Sequence, residues 1–97
     1  MNHKRIAVYK LQTSADTVVQ RAEAGILPIF RQQPGFVAYE IIETGTDSLI
    51  SISTWQSNEQ ADEATKIAAA WTQDNLGFAL VLTDNYVGEV LLSSREP

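Results

Sequence analysis

The chain has 97 residues, no cysteine, and seven Lys and Arg against twelve Asp and Glu, a formal charge of −5; that is enough for one domain, spanning 1–97, with one modest core. Without cysteine there are no disulfides, thiolate nucleophiles or iron–sulfur ligands, and the acidic balance argues against nucleic acid, which needs clustered positive charge. The longest nearly continuous apolar stretch, Leu76 to Leu82, is seven residues, against about 20 for a bilayer span. Met1 to Arg5 also lacks the apolar run of a signal peptide, so a cytoplasmic protein with no membrane partner is expected.

Lys4 to Leu11 alternate, with Ile6 and Val8 on one side and Ala7, Tyr9 and Leu11 on the other. That is the period of a strand, and two apolar faces imply a strand covered on both sides. Thr13, Ser14 and Asp16 offer N-cap oxygens, and Val18, Ala22, Ile26, Ile29 and Phe30 then recur at helical spacing. A helix over 15–32 follows, kinked or split by Gly25 and Pro28. Pro34-Gly35 ends it, Phe36 to Glu43 reads as a second strand, Thr44 to Ser48 as a polar turn and Leu49 to Trp55 as a third strand.

Ser57 and Gln60 have the spacing of a capping box, so a second helix starts near Asn58 with Ala61, Ala64, Ala68 and Trp71 on one face. Asn75 or Gly77 is placed to end it in the left-handed conformation. Leu76 to Leu82 is a further helical turn or a brief strand, the turn being expected. Thr83-Asp84-Asn85 has turn chemistry, and Tyr86 to Ser93 reads as the last strand before a polar tail ending in Pro97. The order β-α-β-β-α-β is the ferredoxin-like α+β arrangement, a four-stranded antiparallel sheet with helices on one face.

The junction Arg31-Gln32-Gln33-Pro34-Gly35-Phe36, the strand Val37-Ala38-Tyr39-Glu40 and the strand end Ser53-Thr54-Trp55-Gln56-Ser57 entering a capped helix resemble the antibiotic biosynthesis monooxygenase family of the dimeric α/β-barrel superfamily. The resemblance covers nearly the whole chain. It implies a homodimer packed through the sheet face and, in each protomer, a pocket between sheet and helices for a small apolar or aromatic molecule. The rings available to line that pocket are Trp71, Trp55, Phe36, Tyr39 and Phe30, each of which is equally suited to a packed core.

The activity implied is a monooxygenase acting on a small aromatic or quinol-type molecule without a cofactor, with Trp71, Asn75, Tyr39 and Glu40 as candidate catalytic groups. The alternative is a non-catalytic module of the same fold. Active members pair an Asn with a Trp one turn later on the second helix, whereas Ile67 stands four residues before Trp71; Asn75, one turn after it, reverses the order. Haem-degrading members use a histidine on that helix. The only histidine here is His3, expected to be a solvated terminal residue, so neither a metal nor another cofactor is expected. Glu40 is expected to be edge-exposed or paired with Lys10 or Arg5, unless burial makes it a general base.

Overall fold

The computed structural model describes residues 1–95; Glu96-Pro97, the end of the polar tail, lies outside the described residues. Strands β1 (His3–Leu11), β2 (Phe36–Gly45), β3 (Ser48–Trp55) and β4 (Leu80–Glu89) form one antiparallel sheet in the order β2-β3-β1-β4. Helices α1 (Ala15–Ala24), α2 (Ile26–Arg31) and α3 (Asn58–Leu76) complete the α+β ferredoxin-like arrangement. Among the described residues no helix is long and apolar enough to cross a membrane.

Strand alternation decides which side of the sheet the helices cover. Arg5, Ala7, Tyr9 and Leu11 of β1 are buried, as are Leu49, Ser51, Ser53 and Trp55 of β3. Against these pack Val18 and Ala22 of α1, Ile26 and Phe30 of α2, and Ala61, Ala64, Ala68 and Leu76 of α3. The other face of the sheet carries Ile6, Val8, Ile50, Ile52, Ile42 and Tyr86 in adjacent register, so both strand faces are apolar, as the alternation implies.

The first predicted helix divides at Gly25, whose N–H donates to the Arg21 carbonyl at 2.9 Å and closes α1. The break falls where Pro28 has no N–H to give the Ala24 carbonyl, and the indole of Trp71 lies against the glycine: a Cβ on Gly25 would overlap Cζ2 and stand 2.7 Å from Cε2. Only glycine allows that approach. Pro28 is then the third residue of α2, within the first turn, where a helix leaves N–H groups unused. Ser14 caps α1 and Ser57 caps α3, accepting from Thr17 N and Gln60 N at 3.3 and 3.2 Å. The Gln60 side chain does not complete the capping box; its amide lies against Gly35, the one described residue with positive φ, at 79°.

The C-terminal third departs from expectation. The apolar run after α3 is strand from Leu80 onward, because Leu80, Val81 and Leu82 pair with Leu11, Lys10 and Tyr9 and satisfy the outer edge of β1. Thr83-Asp84-Asn85 is no turn: the β1–β4 register shifts between Val8 and Tyr9, Thr83 is the extra residue, and its Oγ1 donates to the Val8 carbonyl at 3.1 Å. The strand ends at Glu89, short of Ser93. Gly77 follows α3 with φ −58°, right-handed, so the expected left-handed cap is absent. His3 belongs to β1, its side chain 18% exposed and 4.0 Å from the Glu89 carboxylate, and is not the solvated terminal residue expected.

Substituting Gly25→Ala is expected to lower stability by about 1–3 kcal/mol, the usual effect of overpacking, and to shift the tryptophan emission. Urea unfolding followed by fluorescence measures both.

Candidate functional site

The space between sheet and helices has two adjoining parts that share lining residues. The inner one, beside Trp71, Tyr39, Phe30 and Ala68, is a cavity of about 20 Å³, room for roughly one water molecule. The outer one is a cleft of about 260 Å³ between α3 and the β1–β4 edge, lined by Ala69, Thr72, Gln73, Gly77, Leu80 and Leu82 together with Arg5 and Tyr9. Arg5, Tyr9, Thr72 and Leu80 border both parts.

Four of the five rings expected to line a pocket pack mainly on one another. Phe30 stands edge-on to Tyr39 and Trp55 at centroid distances of 5.4 and 5.2 Å, and Phe36 meets Trp55 at 5.5 Å. T-shaped contacts at these distances are the favoured geometry for aromatic pairs, and they fill the volume a ligand would need. Phe30, Tyr39 and Trp71 still border the inner cavity, whereas Trp55 borders a separate surface groove of about 160 Å³ beside Gln60 and Ile67. Phe36 borders neither the inner cavity nor the outer cleft.

Of the candidate catalytic groups, the fold brings Trp71 and Tyr39 together and leaves the other two apart. Asn75 is exposed and donates its Nδ2 to the Trp71 carbonyl at 2.9 Å, a bond within its own helix. Glu40 is exposed on β2 in register with Ile52, on the face away from the helices. Arg5 is on the opposite face, so the two are not partners. Among the described residues no three His, Asp or Glu side chains converge as a metal site.

The residue that sequence reasoning passed over is Arg5. Its side chain is buried, the residue being 2% exposed. Nε donates to Asn85 Oδ1 at 2.9 Å and Nη2 to the Tyr9 hydroxyl at 3.5 Å, both uncharged acceptors. Neither ion pair among the described residues includes it, and no carboxylate lines the cleft or the cavity. The available signal was parity: Arg5 alternates with Ala7, Tyr9 and Leu11 and so belongs to the helix-facing side. Burial raises the Tyr39 phenol pKa well above its ordinary 10.0; nearby Tyr9 adds to the rise and the Arg5 charge only partly offsets it.

Comparison with known proteins gives a fold and leaves the chemistry open. No family model matches the sequence, and no curated protein matches it. Solved structures do match. SnoaB, a cofactor-independent oxygenase from Streptomyces nogalater, superposes with a TM-score of 0.72 over 98% of both chains at 14% identity. A Bordetella bronchiseptica protein assigned as an antibiotic biosynthesis monooxygenase gives 0.73 at 11% identity, over 94% of this chain and 98% of the other. An ethyl tert-butyl ether degradation family protein from Bacillus halodurans gives 0.64 at 18%, over 94% of this chain and 100% of the other. The fold is that of the antibiotic biosynthesis monooxygenases, and it serves proteins of different description.

Above pH 10 the unfolded chain releases the Tyr39 proton while the native chain retains it. The native state's pKa is the raised one, so this contribution is complete below the ordinary phenol pKa and is lost as pH climbs beyond it. Tyr39→Phe removes the group, and its stability is expected to fall less steeply between pH 9 and 11 than that of the parent chain, as chemical denaturation at several pH values measures (roughly one unit either side of the ordinary value).

Proposed function

We propose that the chain is a homodimer, joined through its open sheet face, in which each protomer takes a small aromatic or quinol-type molecule into the cleft between α3 and β4 and oxygenates it without a cofactor. The observation that carries this reading is the cleft itself: apolar walls of Leu80, Leu82 and Ala69 together with Tyr9, Thr72 and Arg5, beside the small cavity that Trp71 and Tyr39 border. Pockets for small molecules combine such walls with a few placed polar groups. The likeness of fold to SnoaB over the whole chain supports the reaction class.

In such a reaction an activated ring methylene, R2CH2, loses a proton to give a stabilised carbanion that reacts with dioxygen. One oxygen atom becomes the new carbonyl, and the other leaves as water with the two hydrogens. The enzyme's contribution is to hold the ring and stabilise charge on its oxygen. Among the described residues no carboxylate or imidazole faces the cleft, which favours substrates acidic enough to ionise with solvent as the proton acceptor. The same feature supports a second reading, a binding module without turnover. Oxygen uptake with product mass on anthrones, naphthoquinols and menadiol separates them: protein-dependent uptake giving a product with one oxygen more and two hydrogens fewer supports the enzyme, and rates equal to buffer, or quinol turned only into quinone and peroxide, leave only the binder.

The dimer rests on the open face. Ile42 and Tyr86 are 44% and 58% exposed there, and Leu91 and Leu92, beyond β4, are 81% and 90% exposed. An apolar sheet face of this extent marks an interaction surface. Ile52 lies between Glu40 and Ile6 in the cross-strand row, so Ile52→Glu puts a charge at its centre. Light scattering is expected to give twice the chain mass for the parent and the chain mass for the variant; a monomeric parent at micromolar concentration would refute the interface.

A further inference from the structure

We propose that Arg5 is the anion-binding group of the cleft, receiving the ionised oxygen of a planar aromatic ligand, a phenolate or a carboxylate. This rests on the reading of the cleft as a ligand site and goes beyond it by naming the ligand's charge and the side chain that meets it.

The guanidinium of Arg5, a residue 2% exposed, keeps its charge under all ordinary conditions, and a buried charge is costly unless paired. In most folds a carboxylate supplies the pairing. Here the groups on Arg5 are an amide oxygen and a phenol, the remaining walls are neutral, and the nearby acids Glu40 and Asp84 are in register with open-face residues Ile52 and Val8. The two neutral partners hold the plane of the guanidinium, and among the described residues no carboxylate compensates its positive charge beside a cleft of about 260 Å³. That volume is just below the roughly 300–1,000 Å³ of drug-sized pockets, and suits one or two fused rings. In an apolar surround the attraction between Arg5 and an anionic oxygen is far stronger than at the surface.

The β4 irregularity belongs to the same arrangement. Before it, Leu80 and Leu82 are in register with Leu11 and Tyr9 on the helix side; after it, Asn85 and Val87 are in register with Ala7 and Arg5. The extra residue Thr83 therefore exchanges the faces of the strand and turns Asn85 toward the helix side, where it accepts from Arg5 Nε. Bulges commonly re-aim a side chain in this way beside functional sites.

The test is binding by the 97-residue chain of three probes: 2-naphthoate, its neutral relative 2-naphthamide, and 2-naphthol, whose absorbance reports ionisation. The parent chain is expected to bind 2-naphthoate about tenfold or more tightly than 2-naphthamide and to move the ionisation of bound 2-naphthol to lower pH by about one unit or more. Arg5→Gln is expected to abolish both effects, to leave 2-naphthamide affinity within about twofold, and to keep or raise the urea midpoint, since it removes an unpaired buried charge. Arg5→Met serves the same purpose should Arg5→Gln not fold. A naphthoate preference without the naphthol shift assigns the site to carboxylates, and the converse assigns it to phenolates. Equal binding of acid and amide by the parent, or equal loss of both on substitution, overturns the role of Arg5 while leaving the cleft as a ligand site. Failure of all three probes to bind overturns both.

Discussion

Everything in this molecule depends on the register of β1. It is paired on both sides, by β3 and β4, so its alternation is carried across the sheet: Arg5, Ala7, Tyr9 and Leu11 go beneath the helices, and Ile6 and Val8 go to the open face with Ile50, Ile52 and Tyr86. A slip of one residue would reverse every assignment. It would bring Ile6 and Val8 under the helices and put a permanently charged guanidinium on the apolar outer surface.

The helix layer then determines how much space is left. Alanines at positions 61, 64 and 68 bring α3 close to the sheet, and the Trp71 indole takes up the gap between α3 and the α1–α2 break, seated on Gly25. With Phe30, Phe36, Tyr39 and Trp55 stacked edge to face, the interior beside Trp71 is nearly full. Room remains toward α3 and β4, where the walls are Leu80, Leu82 and Ala69. Arg5 is among the residues that line that room, so the proposed ligand would meet apolar walls and a charge in one cleft.

Much of this was legible in the residues. The alternation of β1 and β3, the Ser57 cap and the helical spacing of Ala61, Ala64, Ala68 and Trp71 are local signals, and local signals specify elements well. The start of β4 was illegible for a physical reason: Leu76 to Leu82 is short and apolar throughout, compatible with either state, and Thr83-Asp84-Asn85 has turn chemistry that pairing with β1 overrides by a bulge. The rings were identifiable as buried, but their contact with one another joins α2, β2 and β3 and is a tertiary fact. Arg5 was open to reading from its parity with Ala7 and Tyr9; its lack of an acidic partner depends on which acids fall on which face, and only the assembled sheet decides that.

A crystal structure of the protein with 2-naphthoate tests the central claim most directly. The carboxylate is expected within hydrogen-bonding distance of the Arg5 guanidinium, about 2.7–2.9 Å for a charge-assisted bond, with the rings against Leu80, Leu82 and Ala69. A naphthoate seated elsewhere, in the groove beside Trp55 or on the open sheet face with Arg5 untouched, would contradict it.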